Sequence, residues 1–182
     1  MLHVIAAILV VLVLFFVAMY NNLVHICYRC DEALSNVETE LKRRYVLIPN
    51  LVSIVKGYAS HEKYLLEQLV KLREKASYNP NSILSPADEA KFSQKLNSLM
   101  VKLEAYPNLK ANQNFRELQI ELANTEDRIQ AALRFYNCNV RIVNSTMRQF
   151  PSNIVANAFD FEIRQFFVLE DATAQTAPTI QF

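Results

Sequence analysis

The side chains able to do chemistry are few and far apart along this 182-residue chain. Its three histidines, His3, His25 and His61, never fall three or four residues from one another, the spacing that sets two imidazoles on one helical face. His61 and Glu62 begin an HExxH pattern, but Leu65 stands where the second histidine of a zinc protease is needed. Cys27 and Cys30, in CYRC, have metal-like spacing. No second Cys or His pair lies nearby to complete four ligands, and Cys138 is remote in sequence. The plainer reading of both is as small apolar helix residues. Tyr45, Asn50, Lys56 and Tyr58 are scattered and pair no nucleophile with a base. No catalytic, cofactor-binding or metal-binding residue is assigned, and a non-enzymatic role is expected.

Lys42, Arg43 and Arg44 form the densest basic cluster, which could bind phosphate or lipid head groups. Glu38 and Glu40 precede Lys42 and Arg44 by four residues, the favourable order for helical ion pairs. A solvated face neutralised by those acids is therefore preferred. A phosphate-cradling loop is excluded, because Gly57 is the only glycine and Rossmann, Walker and kinase loops all need several. The nucleophile elbow fails for the same reason. Usage near 7% would supply roughly 13 glycines, so many-stranded sandwiches and barrels with glycine-rich turns are disfavoured too. With 19 basic and 18 acidic residues, the net charge of +1 leaves no footprint for nucleic acid. A mostly helical chain remains.

The elements follow from the pattern. Leu2 to Tyr20 is apolar apart from His3 and as a helix would span about 28 Å, the thickness of a bilayer core. Val4, Ile8, Leu12, Phe15 and Phe16 are its anchoring side chains. A cleaved signal peptide would need basic residues in front and a small-x-small site behind, and neither is visible. Val24, His25 and Ile26 lack the small residues of a lipobox before Cys27. Arg29, with Lys42, Arg43 and Arg44 further out, places the bulk of the chain in the cytoplasm by the positive-inside rule. An odd cysteine count fits a reducing compartment.

No Pro or Gly interrupts Met1 to Ile48, so the membrane helix is expected to continue for about 72 Å until Pro49 bends or breaks it. Leu51, Val55, Tyr58, Leu65, Leu69 and Leu72 then mark a buried stripe. Gly57 falls within it, where close approach of another helix is the expected reason for a glycine. Ser77 to Pro86 is a loop. Ser85, Pro86, Asp88 and Glu89 open the next helix as N-cap, first-turn proline and dipole-matched acids, and it runs to about Ala105. Tyr106 to Ala111 turns the chain, and Asn112 caps a long helix ending near Gln149. Phe115, Leu122, Ile129, Tyr136, Val143 and Phe150 recur every seven residues, with Leu118, Leu133, Val140 and Met147 widening the seam. Such a seam favours an internal bundle core over an intermolecular coiled coil.

Six of the eleven phenylalanines lie between Phe150 and Phe182. Pro151 to Phe182 carries Arg164 against Asp160, Glu162, Glu170 and Asp171, a net of −3. That charge disfavours a helix lying on anionic lipid and favours docking onto the bundle or a neighbouring subunit. From Ala172 the uncharged tail reads as an extended strap.

The segment LKRRYVLIPNLVSIVKGYASHE, Leu41 to Glu62, resembles the signature of the bacterial LemA family. AYPNLKANQNFRELQIEL (Ala105 to Leu122), then Thr125, Glu126 and Arg128, FPSNIVANAF (Phe150 to Phe159) and the closing PTIQF (Pro178 to Phe182) resemble family motifs in the expected order. Tyr20, Asn21 and Asn22, leading into Leu23 and Val24, resemble the family's junction after its membrane helix. One departure is Leu34 in Asp31-Glu32-Ala33-Leu34, where the family pattern has Trp. The resemblance implies one N-terminal membrane helix, with a short exposed N-terminus, joined to an antiparallel helical bundle. It implies no catalytic activity.

Together these readings give an all-α protein: a transmembrane helix (residues 1–21) continuous with a bundle of about four antiparallel helices (22–150) and a Phe-rich docking segment and tail (151–182). The expected role is a single-pass scaffold of the bacterial cytoplasmic membrane that self-assembles and organises or shapes the bilayer. The alternative is an adaptor presenting a bundle face to another membrane protein, such as a protease or sensor. Partners are the bilayer, further copies of the chain or another membrane protein, and no cofactor or nucleic acid. The candidate interaction residues are Lys42, Arg43, Arg44, Pro49, Gly57, Phe159, Phe161, Phe166, Phe167 and Phe182.

Overall fold

The computed structural model describes residues 1–59, 62–77 and 85–168. Among them are six helices and no strand: α1 (Leu2–Lys56), α2 (Lys63–Ser77), α3 (Pro86–Leu103), α4 (Pro107–Ala111), α5 (Gln113–Arg148) and α6 (Ser152–Ala158). His61, Phe182 and the Ala172 tail lie outside the described residues. The chain divides into two compact units, one of Met1–Val37 with Gln130–Phe166 and the other of Glu38–Ile129 with the chain from Phe167 onward.

In the first unit, the start of α1 is apolar on every side. It is long and apolar enough to cross a membrane, and none of its most apolar window is buried by the rest of the chain. Val4, Ile8, Leu12, Phe15 and Phe16 all stand exposed. Burial begins three residues after Tyr20, at Leu23, and continues through Cys30, Ala33 and Val37, the three-four-seven spacing of a helix with one covered face. Leu133, Tyr136, Val140, Val143 and Met147 on α5, with Val155 and Ala156 on α6, complete that core. Phe150, the last member of the heptad, departs from the expectation: it lies beyond the end of α5 and is exposed.

In the second unit, Leu41, Ile48, Leu51 and Val55 of α1 are buried with Leu69 of α2, Phe92, Leu99 and Leu103 of α3, and Phe115, Leu118, Leu122 and Ile129 of α5. The helix starts use the expected chemistry. Ser85 Oγ accepts from the Asp88 N–H at 3.2 Å with Pro86 at the first turn, and Asn112 Oδ1 accepts from the Phe115 N–H at 3.1 Å. The turn at Tyr106 contains the short helix α4.

Two expectations are corrected here. Of the two outcomes expected at Pro49, the break does not occur: α1 continues to Lys56. Pro49 is exposed while Ile48 and Leu51 beside it are buried, so packing holds the helix through the missing N–H. Gly57 is not part of a buried stripe. It sits in the turn that ends α1, is exposed, and an added Cβ would meet only the Ile54 carbonyl oxygen at 3.9 Å. The periodicity fails because the chain turns there: Tyr58 is exposed as well, its hydroxyl accepting from Asn112 Nδ2 at 3.2 Å. Overpacking by Gly57→Leu is therefore not expected. The variant should melt within about 0.5 kcal/mol of the parent, as open surface sites do, and a loss above 1 kcal/mol in thermal unfolding would contradict this placement.

Candidate functional site: a buried arginine and a phenylalanine strap

Within the second unit, the three residues of the basic cluster meet three different fates. Lys42 stays exposed and pairs with Glu38 one turn back at 3.8 Å. Arg43 reaches from α1 to α5, where its Nη2 lies 2.6 Å from Glu121 Oε1. Arg44 is wholly buried, which corrects the solvated-face reading. It pairs not with Glu40 but with Glu89 of α3 through Nη2, and with Glu126 Oε2 of α5 through Nη1 at 3.0 Å. Nη1 also donates to Ser93 Oγ at 2.8 Å. Phe92 supplies its ring face 4.8 Å from the guanidinium carbon, and Tyr45 meets that ring edge-on at 5.5 Å.

The spacing explains why Arg44 is inside. Leu23, Cys30, Val37, Arg44 and Leu51 lie seven apart and all are buried, so Arg44 occupies a core position of α1 rather than its wet face. Glu89 likewise stands in the α3 series Glu89, Phe92, Leu96, Leu99, Leu103. That register was the available signal for both residues. A charged side chain at a core position must be paired by another charge, and α3 and α5 bring those charges.

Burial pushes the Glu89 carboxyl up from 4.5 to about 7, against the pull of Arg44 and with a small push from Glu126. Its Oε1 lacks a hydrogen-bond partner among the described residues, consistent with a site that penalises the charged form. A group with a raised folded pKa adds stability below its unfolded pKa and loses it as pH rises through the folded one. The window is thus roughly pH 4.5 to 7. Stability of the parent relative to Glu89→Gln is expected to fall by about 3 kcal/mol across it. Chemical unfolding of both proteins in mild detergent from pH 4.5 to 8 measures that difference, and parallel curves would refute it.

In the first unit, the segment after α6 has no regular structure through Phe166 and is held by side chains in place of a ladder. Asn144 of α5 grips Arg164 from both sides: its Nδ2 donates to the Arg164 carbonyl at 2.8 Å, and its Oδ1 accepts from the Arg164 N–H at 2.9 Å. Tyr136 donates its hydroxyl to the Gln165 carbonyl at 2.8 Å. The Arg164 guanidinium completes the strap on Asp31 of α1 at 3.1 Å. Asn144 and the hydroxyl of Tyr136 escape sequence reasoning because their partners are backbone atoms 20 and 29 residues away, which no local pattern marks.

The phenylalanines divide accordingly. Phe161 is half-buried and Phe159 exposed, and both rings pack on Tyr20, with centroids 5.8 and 4.7 Å away. Phe166 is exposed, and Phe167, in the second unit, is buried. Cys27 and Cys30 are free thiols whose pKa values burial raises, with Arg164 opposing. Protonated thiols are poor nucleophiles and poor metal ligands. Among the described residues no three His, Cys, Asp or Glu side chains converge on one point.

Residues 33–182 match the model of the LemA family. The chain is similar to Protein LemA of Metamycoplasma hominis, at 31% identity over 122 residues, which cover 66% of this chain and 55% of that protein. It thus spans about half the length of the curated relative it matches.

Proposed function

Because the chain belongs to the LemA family, we propose that it is a non-enzymatic, membrane-anchored helical scaffold whose copies assemble and so organise or shape the bilayer. In this reading Leu2 to Tyr20 crosses the bacterial cytoplasmic membrane once, and the helices beyond it form an antiparallel bundle on the cytoplasmic side. A reporter active in one compartment, fused after Phe182, reads the side. The non-enzymatic part is supported by the state of the charged groups: Arg44 and Glu89 are buried against each other and offer no group to a substrate.

One observation carries the assembly. The heptad seam of α5 in the first unit is buried by the chain itself, yet the opposite face of the same helix shows Phe135 at 50% and Ile142 at 43% exposure. Ala131 and Cys138, also exposed, lie on that face between and beside them. A second apolar stripe on a helix already packed along its first is what a contact with another helix requires. In native-like lipid the parent is expected as a multimer of its 21.0 kDa mass, and Phe135→Ser with Ile142→Ser as single chains. A parent that runs as one chain overturns assembly. The same face would then serve an adaptor that docks on a different membrane protein.

A further inference from the structure

We propose that α6 and the residues flanking it form a second membrane contact: Phe150, Ile154 and Phe159 enter the headgroup region of the bilayer that α1 crosses, as a foot beside the span. The inference rests on the reading of Leu2 to Tyr20 as that span. Nineteen residues at 1.5 Å each make about 28 Å, so the span ends with Tyr20 at the hydrocarbon boundary, where aromatic side chains gather. Phe159 packs its ring on Tyr20 with centroids 4.7 Å apart, and Phe161 does so at 5.8 Å. Both rings therefore stand at the height of the boundary itself.

The backbone fixes them there. The Phe159 N–H donates to Val155 O at 3.1 Å and the Phe161 N–H to Ala156 O at 3.0 Å. Between them Asp160 takes a left-handed conformation with φ 52°. This is the helix-closing motif in which the bond from the second residue past the cap reaches back to the third-last helical carbonyl. Val155 and Ala156 of α6 are buried, while Ile154 at 48%, Phe150 at 80% and Phe159 at 61% exposure leave apolar surface uncovered around the same short helix.

Phe150 precedes α6 and Ile154 lies in its first turn, and both side chains are exposed. Arg148, exposed in the last turn of α5, adds a cation suited to lipid phosphate. The acidic Asp160 and Glu162 flank the foot, so its contact is driven by burial of apolar area rather than by lipid charge. The net of −3 counted over Pro151 to Phe182 opposes only an anionic surface. A foot beside the span would set the tilt of α1 in the bilayer, which interfacial anchors control. A lone helix leaves that tilt loose.

The chain contains no tryptophan, so one introduced Trp is an unambiguous depth probe. Full-length Leu12→Trp, Phe135→Trp, Phe150→Trp and Phe159→Trp are reconstituted in phosphatidylcholine vesicles carrying spin-labelled lipid, the label near the glycerol or near the chain end. Leu12→Trp should be quenched best by the deep label. Phe150→Trp and Phe159→Trp should be quenched best by the shallow one, at least threefold more than Phe135→Trp. If Leu12→Trp is quenched while Phe150→Trp and Phe159→Trp respond no more than Phe135→Trp, the span stands and the foot is overturned. Quenching of Phe159→Trp without Phe150→Trp also overturns it, since the contact is then only the ring pair on Tyr20. An unquenched Leu12→Trp overturns the span and the foot together.

Discussion

Replacing Arg44 by Met is expected to destabilise the folded chain by about 3 to 5 kcal/mol at neutral pH, the range for breaking a buried ion pair from one side. Met fills much of the same volume, so lost packing contributes little. The loss comes from Glu89, which stays buried with no cation beside it. Protonation offers Glu89 an escape, so the defect should shrink in acid and grow as pH rises past the parent value of about 7. Arg44→Met combined with Glu89→Leu should recover most of the loss, because replacing both charges by packed apolar groups is often neutral or better. Unfolding curves of the parent, both single variants and the double variant give the comparison. A double variant no more stable than Arg44→Met would show that the cluster matters for something other than charge balance.

Phe92→Ala should cost a similar 3 to 5 kcal/mol, the usual range for emptying a buried aromatic site. Phe92 is completely buried, and its ring holds two neighbours: Arg44 over its face and Tyr45 against its edge. The cavity would therefore open beside the least hydrated charges in the second unit. For that reason the variant should be coupled to Arg44→Met. The two losses should fall short of additivity by roughly 0.5 to 3 kcal/mol, as for residues in direct contact. Additive losses in a double-mutant cycle would mean that the ring is only a spacer. Phe92→Leu, which keeps most of the volume, should lose much less than Phe92→Ala.

The sequence and the structure agree most where one local interaction decides. Ser85 and Asn112 cap their helices because an oxygen two or three residues from an orphan N–H has few alternatives. The α5 seam is buried up to Met147 because a seven-residue apolar repeat has one favourable side. Agreement ends where the partner is distant in sequence. Adjacency to Lys42 and Arg43 made Arg44 read as surface, although Leu23, Cys30, Val37 and Leu51 share its register. The two acids that allow its burial lie 45 and 82 residues away. Gly57 failed differently. A three-four pattern carries no mark of a turn within it, and the apolar spacing runs on across a place where the helix has already ended.

The turn at Asp160 has a consequence in the state that folding leaves behind. Glycine is the usual residue at this left-handed position, and here a residue with a Cβ occupies it, as Cβ-bearing residues occupy every non-glycine position of a chain with one glycine in 182 residues. At Asp160 the left-handed angle works against a Cβ. At positions whose native angles permit it, however, a Cβ narrows the conformations open to an unfolded backbone and lowers the entropy lost on folding by about 0.4 to 1 kcal/mol per site. Part of the stability of this protein therefore resides in no contact at all, but in how little freedom its unfolded chain possesses.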